Sequence, residues 1–188
     1  MSTATTMSLA EVYRFLSLSM QYPDRNWLND DYLSLLSVFL EQLGWEDERG
    51  SILSLTPMSD AALESLQVDH TRLFINSVPH LLAPPYGSYY LESGGVLYGA
   101  TTEKTKSFYR QHGYDLAVAT DIPDSLVIEL QFLSFLRDDE QVEAEEEFLQ
   151  TLFRPWFEKF SACVQKEAHS PFYKVVVRMI DFFTMEDD

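Results

Sequence analysis

Ser88, Cys163 and four histidines are the side chains of this 188-residue chain that could attack a substrate or ligate a metal. Ser88 lies in Tyr86-Gly87-Ser88-Tyr89-Tyr90, which lacks the second glycine of a nucleophile elbow and reads as a turn. His70, His80, His112 and His169 show no metal-ligand spacing, and Cys163 is the sole thiol. His112 precedes a helix-ending Gly113, where its charge favours the helix dipole, and His70 reads as a packed residue. Gly94-Gly95 and Gly99 are not followed by the Gly-Lys-Ser/Thr of a phosphate loop. Asp124 and Glu129 form an acid pair on paper. Position at a helix start accounts for Asp124, however, and Glu129 is expected to face elsewhere. Glu145-Glu146-Glu147 reads as a solvated face. The sequence therefore predicts no catalytic group, no metal site and no cofactor.

The segment around these residues has a different character. Pro84-Pro85, Gly87 and Gly94-Gly95 alternate with Tyr86, Tyr89, Tyr90 and Tyr98. Proline fixes φ and withholds a donor, and glycine opens backbone conformations closed to other residues. The composition predicts a shaped, aromatic-lined loop over about residues 76–100 rather than a helix. Rigid aromatics lose little entropy on contact, so such a loop suits gripping another chain.

The remainder of the chain must position this loop, and its periodicity is helical. Ser8 and Glu11 form a capping box ahead of Leu9, Val12, Tyr13, Leu16 and Met20, and Pro23 closes that helix. A second helix is expected from about Asp30 to Leu43, with Gly44 as its stop. A third starts at Ser59 and carries Leu63, Leu66, His70, Leu73 and Phe74. Thr101 is expected to cap a helix ending at Gly113, and Pro123 to begin another with Leu126, Leu130 and Leu133 inward. The acidic stretch from Asp138 to Glu147 reads as the start of a solvated helix, which Pro155 should kink or break. Ser170-Pro171 opens a last helix through about Phe183. No segment alternates as a strand would. The expected fold is all-α: a single-domain helical bundle of about six or seven helices over residues 1–188, with one long ordered loop.

Bulk properties narrow the function. The chain is 46% hydrophobic and 14% aromatic, which predicts a folded protein, and its net charge is −17. Such a charge repels nucleic acid and anionic lipid and attracts basic peptides. The N-terminus lacks the basic and apolar regions of a signal peptide, and no apolar stretch reaches the ~18 residues of a membrane span. A single cysteine fits a reducing compartment. These features predict a cytoplasmic protein with no nucleic-acid partner and no stable membrane insertion, either a monomer or a domain-swapped dimer.

Several stretches together resemble the TorD/DmsD/NarJ family of molybdoenzyme-specific chaperones, also called redox enzyme maturation proteins. They are Leu73-Phe74 with Pro84-Pro85-Tyr86-Gly87-Ser88 and Val96-Leu97-Tyr98-Gly99; Ile122-Pro123-Asp124-Ser125-Leu126 leading to Glu129-Leu130-Gln131-Phe132-Leu133; and Pro155-Trp156 with Ser170-Pro171-Phe172-Tyr173. Tyr22-Pro23-Asp24 is a weaker match. They occur in order from the first helix to the last. The resemblance implies an all-helical, non-catalytic protein. It would bind the N-terminal twin-arginine signal, or the body, of the catalytic subunit of a molybdopterin-dependent oxidoreductase of the DMSO reductase superfamily. It would hold that subunit for cofactor insertion before export.

By motif position, the resemblance implies contact with the client through Tyr22, Leu73, Phe74, Pro85, Tyr86, Gly87, Ser88, Gly99, Asp121, Asp124 and Ser125. Export-type members carry a Glu four residues before the proline and an Asp-His pair shortly after it. Here Ala119 and Ser125 hold the first acid and the histidine positions, with Asp121 the nearby acid. This spacing is closer to the NarJ branch, whose nitrate reductase clients need not be exported. The alternative reading is thus an assembly chaperone for a non-exported molybdoenzyme, and beyond that an acidic adaptor.

Overall fold

The computed structural model describes residues 7–76, 81–116 and 122–185, and these build an all-helical fold. The helices are α1 (Leu9–Ser19), α2 (Asp30–Gln42), α3 (Glu46–Leu53), α4 (Asp60–His70), α5 (Gly87–Leu91), α6 (Ala100–Gln111), α7 (Leu126–Asp138), α8 (Val142–Phe148), α9 (Arg154–Glu167) and α10 (Pro171–Thr184).

Many boundaries follow local chemistry. The Ser8 hydroxyl accepts from Glu11 N while Ser8 N donates to the Glu11 carboxylate, completing the capping box of α1. Asn29 caps α2, Ser59 caps α4, and Gly44 takes a left-handed φ of 72° after α2. Phe172 N donates to the Ser170 hydroxyl at the start of α10.

Other boundaries differ from expectation. Helix α3 forms from Glu-Asp-Glu-Arg-Gly-Ser-Ile-Leu and buries only Ile52. The aromatic segment, expected to be wholly loop, contains the short helix α5. Helix α6 starts two residues earlier than expected, with Gly99 rather than Thr101 at its N-cap and Thr101 inside its first turn. Helix α7 starts at Leu126 under a Ser125 cap, because Pro123 and Asp124 are occupied in the preceding turn. Pro155 does not break its helix. Residues Leu149–Phe153 form a π-helical turn directly ahead of it, and this wider turn accommodates the missing donor between α8 and α9.

The chain divides into two compact units. The first comprises Met1–Gln21, Pro85–Ala162 and Met179–Asp188, and the second Tyr22–Pro84 and Cys163–Arg178. In the first unit α1 lies along α7. The Ser17 hydroxyl donates to Val127 O at 3.0 Å, and Arg14 reaches Ser134 at 2.9 Å and Asp138 at 2.5 Å. Phe108, Tyr109, Phe132 and Phe148 pack as a ring cluster, with Tyr109 and Phe132 centroids 4.4 Å apart.

The acidic run is not one solvated face. Glu145 is 1% exposed, accepts from the Tyr13 hydroxyl at 2.7 Å and pairs with Arg137. Burial pushes its carboxyl above the usual range, against the opposing bond from Tyr13 and the charge of Arg137. Desolvation, reinforced by the Glu145 charge, in turn raises the Tyr13 phenol.

In the second unit, buried Asp69 accepts from His169 N at 3.0 Å and Ser170 N at 2.8 Å and pairs with Arg72, tying α4 to the start of α10. Arg178 pairs with Glu48 and stacks over Trp45 at 4.3 Å, seating α3.

Candidate functional site

Seven of the described residues singled out in the sequence lie in the first unit, and six of them meet at the N-terminus of α7. Tyr86 and Ser125 form an isolated antiparallel bridge. On either side of it Leu126 N donates to Pro85 O and Gly87 N donates to Asp124 O, both at 2.9 Å. Asp124 is fully buried, and each of its carboxylate oxygens holds one donor: Ser88 N at 2.5 Å and the Thr102 hydroxyl at 2.8 Å. The Tyr109 hydroxyl donates to Pro123 O at 2.8 Å. Pro85 to Ser88 is therefore a short strap, extended at Tyr86 and entering α5 at Gly87, fixed to the head of α7 through both backbone and carboxylate. The Ser88 hydroxyl is buried with no hydrogen-bond partner among the described residues, and Ser88 lies in α5 rather than in the expected turn.

Gly87 is where the strap meets the core. A Cβ on it would lie 3.1 Å from Cδ1 and Nε1 of Trp156. Trp156 is fully buried, stacks on Tyr90 and donates from Nε1 to Glu129 Oε2 at 3.0 Å. Glu129 thus faces this cluster, contrary to expectation. It is 1% exposed, and its Oε1 meets no donor. Burial, and then the Asp124 charge, raise its carboxyl well above the usual range, while the Trp156 bond opposes them. Desolvation followed by the charges of Glu129, Tyr114 and Asp124 raises the Tyr109 phenol.

Gly99, the seventh, stands apart at the head of α6. A Cβ there would lie 2.7 Å from the Glu92 side chain, which crosses to accept from both Thr101 N and the Thr101 hydroxyl at 2.7 Å. Those two bonds hold the Glu92 carboxyl below its usual range. Between α5 and α6 the chain turns outward. Leu91 is 38% exposed, Val96 54% and Tyr98 72%, and Tyr98 takes a left-handed φ of 61°.

Tyr22, Leu73 and Phe74 belong to the second unit. Half-exposed Tyr22 meets the edge of His70, and Phe74 packs against His70 and Tyr173. Leu73 is fully buried, and its carbonyl accepts from Ala83 N at 2.9 Å. His70 is thus packed among rings, as its sequence position suggests. Asp121 lies outside the described residues. Sequence reasoning missed Thr102, Trp156 and the orientation of Glu129, although Trp156 and Glu129 stand in the motifs that carry the resemblance. Among the described residues no His/Cys/Asp/Glu cluster has the makings of a metal site, and no helix is long and apolar enough to cross a membrane.

This all-helical architecture is similar over 97% of both chains to a crystal structure from Archaeoglobus fulgidus assigned as a redox enzyme maturation protein, with a TM-score of 0.66 and 28% identity. The family model described as nitrate reductase delta subunit matches residues 45–162. The chain belongs to that family, the one that holds the TorD and NarJ proteins. Among its relatives, the chaperone protein TorD of Psychrobacter sp. (strain PRwf-1) is 34% identical over 146 residues, 72% of this chain and 65% of that protein. TorD of Vibrio vulnificus (strain CMCP6) is 30% identical over 145 residues, 71% of this chain and 66% of that protein. The chain thus spans about two thirds of the length of these relatives, whose names are those of chaperones rather than catalysts.

Proposed function

We propose that this protein is a cytoplasmic maturation chaperone. It captures the catalytic subunit of a molybdopterin oxidoreductase, through an N-terminal twin-arginine signal, and holds it for cofactor insertion before export. The observation that carries this reading is the clamped strap. Asp124 and the α7 backbone fix Pro85–Ser88 rigidly, so the segment that follows can present Leu91, Val96 and Tyr98 to a partner without being reordered. A basic, apolar peptide suits such a surface. The aromatic and aliphatic side chains supply burial, and the net charge of −17 steers the arginines.

The test is a binding titration with a fluorescein-labelled twin-arginine peptide that carries a Leu/Ala stretch after the arginines. The peptide should bind, and its affinity should fall as sodium chloride rises from about 50 to about 500 mM, across which the Debye length shrinks severalfold. Binding that ignores salt overturns the role given to charge. No peptide binding together with capture of a mature enzyme body would favour an assembly chaperone for a non-exported client. The family model's nitrate reductase description is the observation on that side.

A further inference from the structure

We propose that Glu129 is the positioning residue of the strap, acting through Trp156 and Asp124, and that client capture is lost when Glu129 ionises. This rests on the reading of the strap and its outward flank as the client surface. The geometry is a closed chain of contacts. Glu129 Oε2 accepts from Trp156 Nε1 at 3.0 Å, and the Trp156 ring lies against Gly87. Gly87 N then bonds Asp124 O, and Ser88 N bonds the Asp124 carboxylate. Glu129 thus sets the height of the indole on which the strap rests.

Among the described residues, the groups facing it leave no compensation for a negative charge. From the turn before α7 comes the Asp124 carboxylate, from α6 the Tyr109 phenol, and from α9 the neutral indole. Among the described residues no cation is among the interactions that set its protonation, and its Oε1 meets no donor. A proton on Glu129 therefore keeps two buried carboxyls compatible. Losing that proton places two like charges in one desolvated cluster, and their repulsion falls on Asp124, whose carbonyl and carboxylate hold Gly87 N and Ser88 N at the head of α5. No other part of the function requires an acid here, so an amide should serve as well.

The experiment uses the full chain and two readouts across about pH 6 to 9.5, chosen to span the range in which a raised carboxyl titrates. The first is affinity for the labelled twin-arginine peptide. The second is Trp156 emission in a background with Trp27 and Trp45 replaced by Phe. Wild type should lose affinity at least tenfold toward the alkaline end, with an emission change along the same curve. Glu129→Gln, which keeps an acceptor for Trp156 and cannot ionise, should bind as wild type does at low pH and flatten both curves. Trp156→Phe should weaken binding at every pH, because the indole against which Gly87 lies and its bond to Glu129 are both gone. If Glu129→Gln retains the wild-type pH profile in both readouts, Glu129 is not the group that titrates and the proposal is overturned. If the peptide binds no variant, the client reading fails by itself, and the emission curves still decide whether Glu129 governs the strap.

Discussion

Replacing Gly87 by alanine tests whether the strap is truly seated on Trp156. The new methyl would sit 3.1 Å from two atoms of the indole, a separation at which one neighbour must yield by a few tenths of an ångström. Neither side yields freely. Trp156 is bonded to Glu129 and lodged among Tyr90, Phe153 and Phe160. Lifting the strap would stretch the bonds from Gly87 N to Asp124 O and from Leu126 N to Pro85 O. Overpacking of this kind destabilises by about 1–3 kcal/mol. Gly50 provides the opposite case. It lies in α3 with nothing within 4 Å of its would-be Cβ, so alanine there should stabilise by roughly 0.5–1 kcal/mol through helix propensity. Urea unfolding at constant slope measures both. At about 2–4 °C per kcal/mol the thermal midpoints should move in opposite directions. Gly87→Ala as stable as wild type would refute the clamp.

Three further outcomes are expected. Tyr98→Gly should stabilise the protein by about 1 kcal/mol, since glycine carries no penalty at the left-handed φ of 61°, while weakening the twin-arginine peptide severalfold; a variant that loses neither strain nor affinity would mean that Tyr98 is no contact residue. Asp69→Ala should cost about 2–4 kcal/mol in thermal unfolding, because it releases Arg72 and the two amides at the head of α10 in a buried setting. Glu129→Gln should remove a slope in stability against pH. A carboxyl raised in the folded state leaves stability full below its unfolded value of about 4.3 and lowers it by about 1.4 kcal/mol per pH unit as pH rises toward the folded value. The Gln variant should therefore overtake wild type in denaturant midpoint at neutral pH and match it near pH 4.

The parts of the fold legible in the sequence are those written in local chemistry. Ser8 with Glu11, Gly44, Ser59 and Ser170-Pro171 each act on their own backbone within a turn, and the helices start or stop where they say. Helix α3 was illegible because its polar sequence buries Ile52 alone and shows no stripe. Helix α7 starts later than Pro123 suggests for a tertiary reason. Pro123 offers its carbonyl to Tyr109 and Asp124 turns its carboxylate to Ser88 and Thr102, which leaves Ser125 to cap the helix. A five-residue offset from Asp124 suggests a different face for Glu129. Helix α7, however, is buried nearly all round, with Ile128, Leu130, Phe132 and Leu133 inward alongside it, so position on the helix does not predict exposure. The loop's composition announced shape, yet only the structure reveals that its first part is strap and its second part surface.

The same division applies to charge. Arg14, Arg25, Arg49, Arg72, Arg137, Arg154 and Arg178 all pair with carboxylates inside their own unit. These pairs join α1 to α7, α2 to α3, α3 to α10 and α9 to α10. Seven of the chain's eight guanidinium groups are thus engaged within their own unit, and they neutralise only the acids they touch. Asp69, Asp124, Glu129 and Glu145 are buried and do structural work, so they contribute little to the outer field. What a basic peptide meets is the remaining excess of exposed acid, spread over the surface and screened beyond about 8 Å at physiological salt. Such a field speeds encounter and disfavours acidic competitors, but it cannot choose one basic peptide over another. On the proposed function, discrimination among clients falls to the shaped side chains at Tyr86 and Leu91–Tyr98, which flank the strap that Asp124 holds.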